Sequence, residues 1–129
     1  MTKTAGMFLE FGGVKQSAPQ ESILDNVAES ALPDVEQVVA YLKGGHVLID
    51  FMDISDDVFD KSRQILGGPS TLTDGDWIWR DDFAYYVARH NVAVPPDFLD
   101  LIRQRHYVVP DLDEPTLDRL ADEAVRLMS

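Results

Sequence analysis

Short apolar runs alternate along the chain with segments rich in glycine, proline and aspartate, and this pattern predicts strands joined by tight turns. The runs that favour strands are Met7–Phe11, His46–Met52, Lys61–Leu66 (or a half-turn there), Ser70–Thr73, Asp76–Trp79 and His106–Val109. His46–Met52 is almost continuously apolar, which is typical of a central strand covered on both faces. Asp74 and Gly75 separate two of the runs, and an Asp-Gly pair in that position predicts a β-hairpin. A single bent strand with a bulge at Gly75 is the alternative.

Other segments repeat their apolar residues at helical spacing. They are Gln20–Ala31, Pro33–Lys43, Phe83–His90, Pro96–Arg105 and a last helix that begins at Asp113 or Glu114. Two capping signals support these limits, because Asp81 stands at an N-cap position and Asn91 is suited to a left-handed C-cap. We therefore predict one α+β domain over residues 1–129. It has a small, mainly antiparallel sheet and about four helices, concentrated in the C-terminal half.

Composition adds a strong negative charge to this picture. The chain has 129 residues, a net charge of −12 and no cysteine, so disulfides and thiolate zinc sites are excluded. The charge is densest in residues 50–82, where all nine acidic residues are aspartates. Such a field repels nucleic acid and anionic membranes and attracts basic proteins, although charge also simply keeps small proteins in solution. No apolar run reaches the roughly 20 residues of a membrane helix, and the N-terminus lacks a signal-peptide layout, so we expect a cytoplasmic protein.

The sequence carries no recognisable catalytic or metal-binding motif. The aspartates between Asp50 and Asp60 fail the calcium-loop pattern, because no glycine stands sixth after Asp53 and Gln64 replaces the bidentate glutamate. The three histidines are scattered, and neither a zinc-peptidase motif nor a nucleophile motif is present. We therefore expect no cofactor and no metal ion, and predict that the protein is not an enzyme.

Two aromatic pairs carry much of the apolar bulk. Trp77 and Trp79 are two residues apart, so they share one face of a strand. That face either packs into the core beneath a helix or forms an exposed aromatic platform bordered by aspartates. Tyr85 and Tyr86 lie about 100° apart on a helix, so one is expected to pack beside Phe83 while the other turns toward solvent.

The segment Gly67–Arg105 contains TDGDWIW, then DFAYYV, then PPDF. In these elements it resembles a group of small, uncharacterised bacterial proteins with a TDG-x-W-x-W element, a D-[FL]-x-YYV helix and a P-x-x-F helix. The residues that carry the resemblance are Thr73, Asp74, Gly75, Trp77, Trp79, Asp82, Tyr85, Tyr86, Val87, Pro96 and Phe98. Small acidic proteins of this kind are common among the immunity proteins of bacterial toxin systems. The resemblance thus implies a protein that neutralises a toxin by covering its active site.

Three functions fit these observations. The first is a non-enzymatic protein that binds a basic partner, such as an immunity-type inhibitor of a nuclease-like toxin, with no nucleic-acid or membrane ligand. Its partner surface is expected to use Asp56, Asp57, Asp60, Asp74, Asp76 and Asp82 for electrostatic steering, with Trp79 and Tyr86 as anchors. The second is a self-associating assembly module that forms a homodimer. The third is a small metal-dependent hydrolase that uses His46, Asp50 and Asp53.

Overall fold

A computed structural model of the chain describes residues 2–11 and 21–128. The helices in these ranges are α1 (Val35–Lys43), α2 (Asp82–His90), α3 (Pro96–Gln104) and α4 (Glu114–Met128). The strands are β1 (Lys3–Ala5), β2 (His46–Ile49), β3 (Ile54–Asp56), β4 (Gln64–Leu66), β5 (Thr71–Thr73) and β6 (Trp77–Arg80). The α+β class is therefore confirmed, with three of the four described α-helices in the C-terminal half.

The strands form two small sheets. The larger sheet has the order β1-β6-β5-β2, in which β1 runs parallel to β6 and the other pairs are antiparallel. The second sheet is the antiparallel β3–β4 hairpin. The predicted hairpin around Asp74-Gly75 is confirmed, because Thr73 pairs with Ile78 across the turn. Gly75 has a φ of +102°, a conformation that side chains disfavour and that glycine adopts freely.

Several predicted strands are wrong. Lys3–Ala5, rather than Met7–Phe11, is the N-terminal strand, and Leu9–Phe11 forms a 3₁₀ turn. His46–Met52 is strand only as far as Ile49, and it lies at the edge of the sheet, where helix α4 packs beside it. His106–Val109 is not a strand: residues 105–107 form a turn in which His106 and Tyr107 both have positive φ.

The helix predictions agree better with the structure. Helices α1, α2 and α3 begin and end within two residues of the predicted limits. Asn91 closes α2 in the left-handed conformation (φ 55°), as predicted. Asp81 makes no side-chain capping bond, whereas Asp113 accepts a hydrogen bond from the Thr116 amide (3.0 Å) at the start of α4. Within the predicted helix Gln20–Ala31, only Ile23–Asn26 is helical among the described residues, as a 3₁₀ turn.

The core sits between the larger sheet and helices α1, α2 and α3. Every residue of β6 is buried, so Trp77 and Trp79 both pack in the core and do not form an exposed aromatic platform. Trp79 is fully buried, and its indole Nε1 donates to the Leu42 carbonyl at 3.0 Å. The Trp77 ring stacks on Phe98, with 4.7 Å between ring centroids. None of the helices in the described ranges is long and apolar enough to span a lipid bilayer.

Candidate functional site

The β3–β4 hairpin turns apolar side chains toward solvent. Ile54 and Leu66 are directly opposite each other in the strand pairing, and 53% and 69% of their surfaces are exposed. Met52, just before β3, is 82% exposed, and Phe51 is 37% exposed. We call these four residues the hairpin face. Scattered apolar residues on a surface are ordinary, whereas a contiguous exposed apolar patch is uncommon on a monomer.

The inner side of the same hairpin is built into the protein. Ser55 and Ile65 alternate with the outward residues, and Ile65 is only 8% exposed. Gly68 lies beneath the hairpin, where an added Cβ would stand 2.5 Å from Ser55 Oγ and 3.1 Å from Asp82 Oδ2. A side chain at position 68 would therefore force the Ser55 hydroxyl or the Asp82 side chain to shift.

The turn that follows β3 is fastened to helix α2 by Asp57. Its carboxylate is fully buried and accepts hydrogen bonds from Tyr85 OH (2.6 Å), His90 Nε2 (2.7 Å) and the Phe59 amide (2.8 Å). Burial favours the neutral acid, but the hydrogen bonds from Tyr85 and His90 outweigh it and hold the pKa of Asp57 below its usual value. The Phe59 ring also lies against His90, with 4.5 Å between centroids. Asp57 is thus an ionised anchor of the hairpin.

Tyr86 supports the same turn from inside the core. Its hydroxyl accepts a hydrogen bond from the Val58 amide (3.0 Å) and lies 3.4 Å from the Asp56 carbonyl. The side chain is fully buried, and burial raises the pKa of Tyr86 to about 12. Tyr86 therefore holds the backbone of the hairpin and does not reach the surface, which corrects its predicted role as an exposed anchor.

Exposed aspartates border the hairpin face. Asp50, Asp53 and Asp56 are exposed, and they flank or belong to strand β3. The Asp53 carboxylate also accepts a hydrogen bond from the Ile54 amide (2.8 Å), which fixes the start of the strand. Asp60, in the turn of the hairpin, pairs with Arg63 at 3.4 Å. The charges next to the face along the chain are thus Asp50, Asp53 and Asp56 on one side and the Asp60, Lys61 and Arg63 turn on the other, with negative charge in excess.

Other predicted surface aspartates are buried by partners from distant segments. Asp74 is fully buried: its Oδ2 accepts from Tyr41 OH (2.6 Å) and lies 3.1 Å from Arg105 Nη1, while its Oδ1 accepts from the Trp77 amide (2.8 Å). The paired hydroxyl cannot easily ionise, because burial and the Asp74 charge raise the pKa of Tyr41 above its usual value. Asp76 remains exposed at the same hairpin tip and pairs with Arg105.

Asp82 is also buried, in a two-bond ion pair with Arg80. The distances are 3.1 Å from Arg80 Nε to Oδ1 and 2.9 Å from Nη2 to Oδ2. Burial raises the pKa of Asp82 to about 6 in spite of the opposing Arg80 charge. Five predicted surface residues are therefore internal, which corrects their expected exposure: Asp57, Asp74, Trp79, Asp82 and Tyr86.

The residues of the predicted metal site do not come together. His46 Nε2 lies 2.8 Å from the Pro110 carbonyl, and Asp50 accepts from Ser70 Oγ at 3.4 Å. Within residues 2–11 and 21–128, no group of three or more histidine or acidic side chains is arranged to hold a metal ion.

The hairpin face was missed in the sequence, because the local pattern gives no signal for it. Apolar Ile54 beside polar Ser55 favours an inward Ile54, and only the pairing of β3 with β4 places Ile54 and Leu66 on the outward side. Comparison of the chain with protein-family models, with curated proteins and with solved structures gave no match.

Proposed function

We propose that this protein binds another protein through the hairpin face, and that the partner is basic. The observation that carries the proposal is the exposed apolar pair Ile54 and Leu66 bordered by Asp50, Asp53 and Asp56. Protein interfaces combine an apolar centre, which excludes water, with a polar rim. The chemistry of this face therefore fits a partner that offers an apolar patch surrounded by lysine or arginine.

Charge selects the kind of partner. The chain has a net charge of −12, so a second copy would bring like-charged borders together, which costs binding energy. A basic partner is instead attracted, because the negative field of the chain accelerates their encounter and the apolar centre of the interface slows dissociation. A heterologous basic protein is thus favoured over the self-associating assembly module.

The contacts beneath the face support a binding role through rigidity. Asp57 and Tyr86 hold the turn after β3 by hydrogen bonds of 2.6–3.0 Å to or from α2 and the turn backbone. A surface that is already ordered loses less conformational entropy when a partner docks. An immunity-type inhibitor is the specific case we propose, because nuclease active sites are basic and a small acidic protein can cover them.

The test begins by finding the partner in the organism that encodes the chain. Immobilised protein is incubated with lysate at low salt, bound proteins are eluted with a salt gradient, and each candidate is purified and measured against the chain in isolation. Wild type is compared with Ile54→Thr and Leu66→Thr, which keep strand propensity and net charge but remove apolar contact. The matched control is Val125→Thr, because Val125 is 55% exposed on α4.

A basic partner should bind wild type and the Val125→Thr control equally. Each hairpin substitution should weaken binding by about 1–2 kcal/mol, or about 5- to 30-fold. If the partner is a nuclease, the wild-type chain should inhibit it and the double variant Ile54→Thr/Leu66→Thr should not. Equal binding by wild type and the hairpin variants would refute the proposal. So would a concentration-dependent homodimer that these substitutions dissociate, because that result assigns the face to self-association.

A further inference from the structure

A second surface feature lies at the β1 edge of the larger sheet, on the side away from strand β2. It is an open groove of about 530 Å³ between the β1–β6 pair and helix α3. Trp77, which is only 7% exposed, lines the floor of the groove, and Asp97 and Asp100 line it from α3. The helical spacing of three residues places these two aspartates on one side of α3. Asp76, from the turn before β6, completes the acidic lining.

The groove already contains one cation from the chain itself. Lys3 Nζ lies 5.5 Å from the centroid of the Trp77 ring and 4.0 Å from Asp97 Oδ2. The position is set by the backbone, because Lys3 and Trp77 are direct partners in the parallel β1–β6 pairing. An ammonium group above an indole and beside a carboxylate is the arrangement in which proteins bind cationic side chains.

The single lysine does not balance the groove. Three aspartates line it, and Lys3 is the one basic residue in that lining. Arg105 pairs with Asp76 from the side of α3, but the Asp97 side chain is 81% exposed. The Lys3 side chain is itself 63% exposed, so it is held weakly and can be displaced. With Lys3 on Asp97 and Arg105 on Asp76, the three aspartates leave one net negative charge, and displacement of Lys3 would free Asp97 and uncover the Trp77 ring for an incoming cation.

From these contacts we infer that the groove is a binding site for an arginine or lysine side chain, and that Lys3 occupies it as an internal competitor. The inference rests on the proposed function, because it places a basic side chain of the partner over Trp77. The guanidinium of arginine fits best, since it can stack on the indole while pairing with the Asp97 or Asp100 carboxylate. Docking of the partner would then require Lys3 to move aside.

The inference can be tested without the partner. The probe is N-acetyl-arginine amide, titrated at low salt while the two indole N–H signals are followed by nuclear magnetic resonance. The neutral isostere N-acetyl-citrulline amide is the ligand control. Trp79 is the internal reference, because its Nε1 is bonded to Leu42 inside the core. The arginine probe should shift the Trp77 signal and leave the Trp79 signal in place.

Substitutions then identify the groups responsible. Lys3→Gln should increase the affinity for the arginine probe by about two- to five-fold, because it removes the competitor. Asp97→Asn and Asp100→Asn should each reduce that affinity by a similar factor, whereas Asp118→Asn on α4 serves as the charge-matched control.

Two results would overturn the inference. One is an unmoved Trp77 signal, or an equal shift with citrulline. The other is unchanged affinity in Lys3→Gln, which would show that Lys3 does not compete. These outcomes are separate from the test of the hairpin face, which depends on Ile54 and Leu66 binding a protein. Failure of the arginine titration therefore leaves the hairpin-face proposal standing, whereas failure of the hairpin face removes the partner from the groove without changing the titration result.

Discussion

The buried Arg80–Asp82 pair makes a quantitative prediction about pH. Burial raises the pKa of Asp82 to about 6, from 3.8 for the free side chain. Between these two pH values the folded protein holds a proton that the unfolded chain releases, so this group makes stability fall as pH rises. Two pKa units correspond to about 3 kcal/mol, at about 1.4 kcal/mol per unit. The contribution of Asp82 to the free energy of unfolding is complete below pH 3.8 and is lost above about pH 6.

Asp82→Asn supplies the reference for the measurement, because asparagine does not titrate. Urea unfolding of both proteins is followed by tryptophan fluorescence at several values between pH 4 and pH 7.5. The free energy of unfolding of wild type minus that of Asp82→Asn should fall by about 2–3 kcal/mol over this range. Other titrating groups are common to the two proteins and cancel in the difference.

The opposite outcome has a definite meaning. If the difference rises with pH, the Arg80 charge dominates and the pKa of Asp82 lies below its usual value. The reasoning that desolvation exceeds ion pairing at this site would then be refuted. A constant difference would also refute it, because that result requires equal pKa values in the folded and unfolded states. Unchanged m-values in the two proteins would establish that the comparison concerns the same unfolding transition.

Three further predictions concern the supports of the fold. Asp57→Asn should lower the free energy of unfolding by about 1–3 kcal/mol and speed amide hydrogen exchange in the β3–β4 turn, because the substitution weakens the hydrogen bonds to a buried carboxylate. Unchanged exchange would contradict the role of Asp57 as an anchor. Gly68→Ala should lower the melting temperature, since its Cβ would stand 2.5 Å from Ser55 Oγ, whereas an unaltered melting temperature would mean that the hairpin shifts freely. Asp34 is held by hydrogen bonds from Arg103 that lower its pKa to about 2, so its contribution is present above pH 4 and lost as pH falls. Because the Arg103 side chain is 40% exposed, Asp34→Asn should cost only about 1 kcal/mol at pH 7, and a pKa near 4 in a carboxyl titration would exclude the pairing.

Local signals in the sequence predicted helices α1 to α4 and the β5–β6 hairpin well, but not the short 3₁₀ turn Ile23–Asn26. Asp74-Gly75 fixes a turn through backbone preference, and Asn91 ends α2 in the left-handed conformation, so neither depends on distant residues. The N-terminal strand and the position of His46–Ile49 depended on which strand pairs with which. That choice is made by packing of segments far apart in the chain, and short apolar runs carry little information about it.

In the candidate site, too, the features that depend on residues distant in the chain were the ones that the sequence did not predict. Asp57 and Asp74 were predicted to be exposed because aspartate favours loops, but each is buried by partners 28 or more residues away, such as Tyr85 and Tyr41. Ile54 and Leu66 were overlooked because apolar residues are normally assigned to the core. Their outward orientation follows from strand register, which only the pairing with the opposite strand reveals.

The Thr73–Asp74–Gly75 tip joins helix α1, the β5–β6 hairpin and the end of α3 through Tyr41 and Arg105. The hairpin face lies outside this junction, on strands whose outward residues carry little of the core. Under the proposed function, the outward residues of β3 and β4 are therefore the ones that substitution can change with little effect on the junction. The same separation makes Ile54 and Leu66 suitable positions for testing binding without disturbing folding.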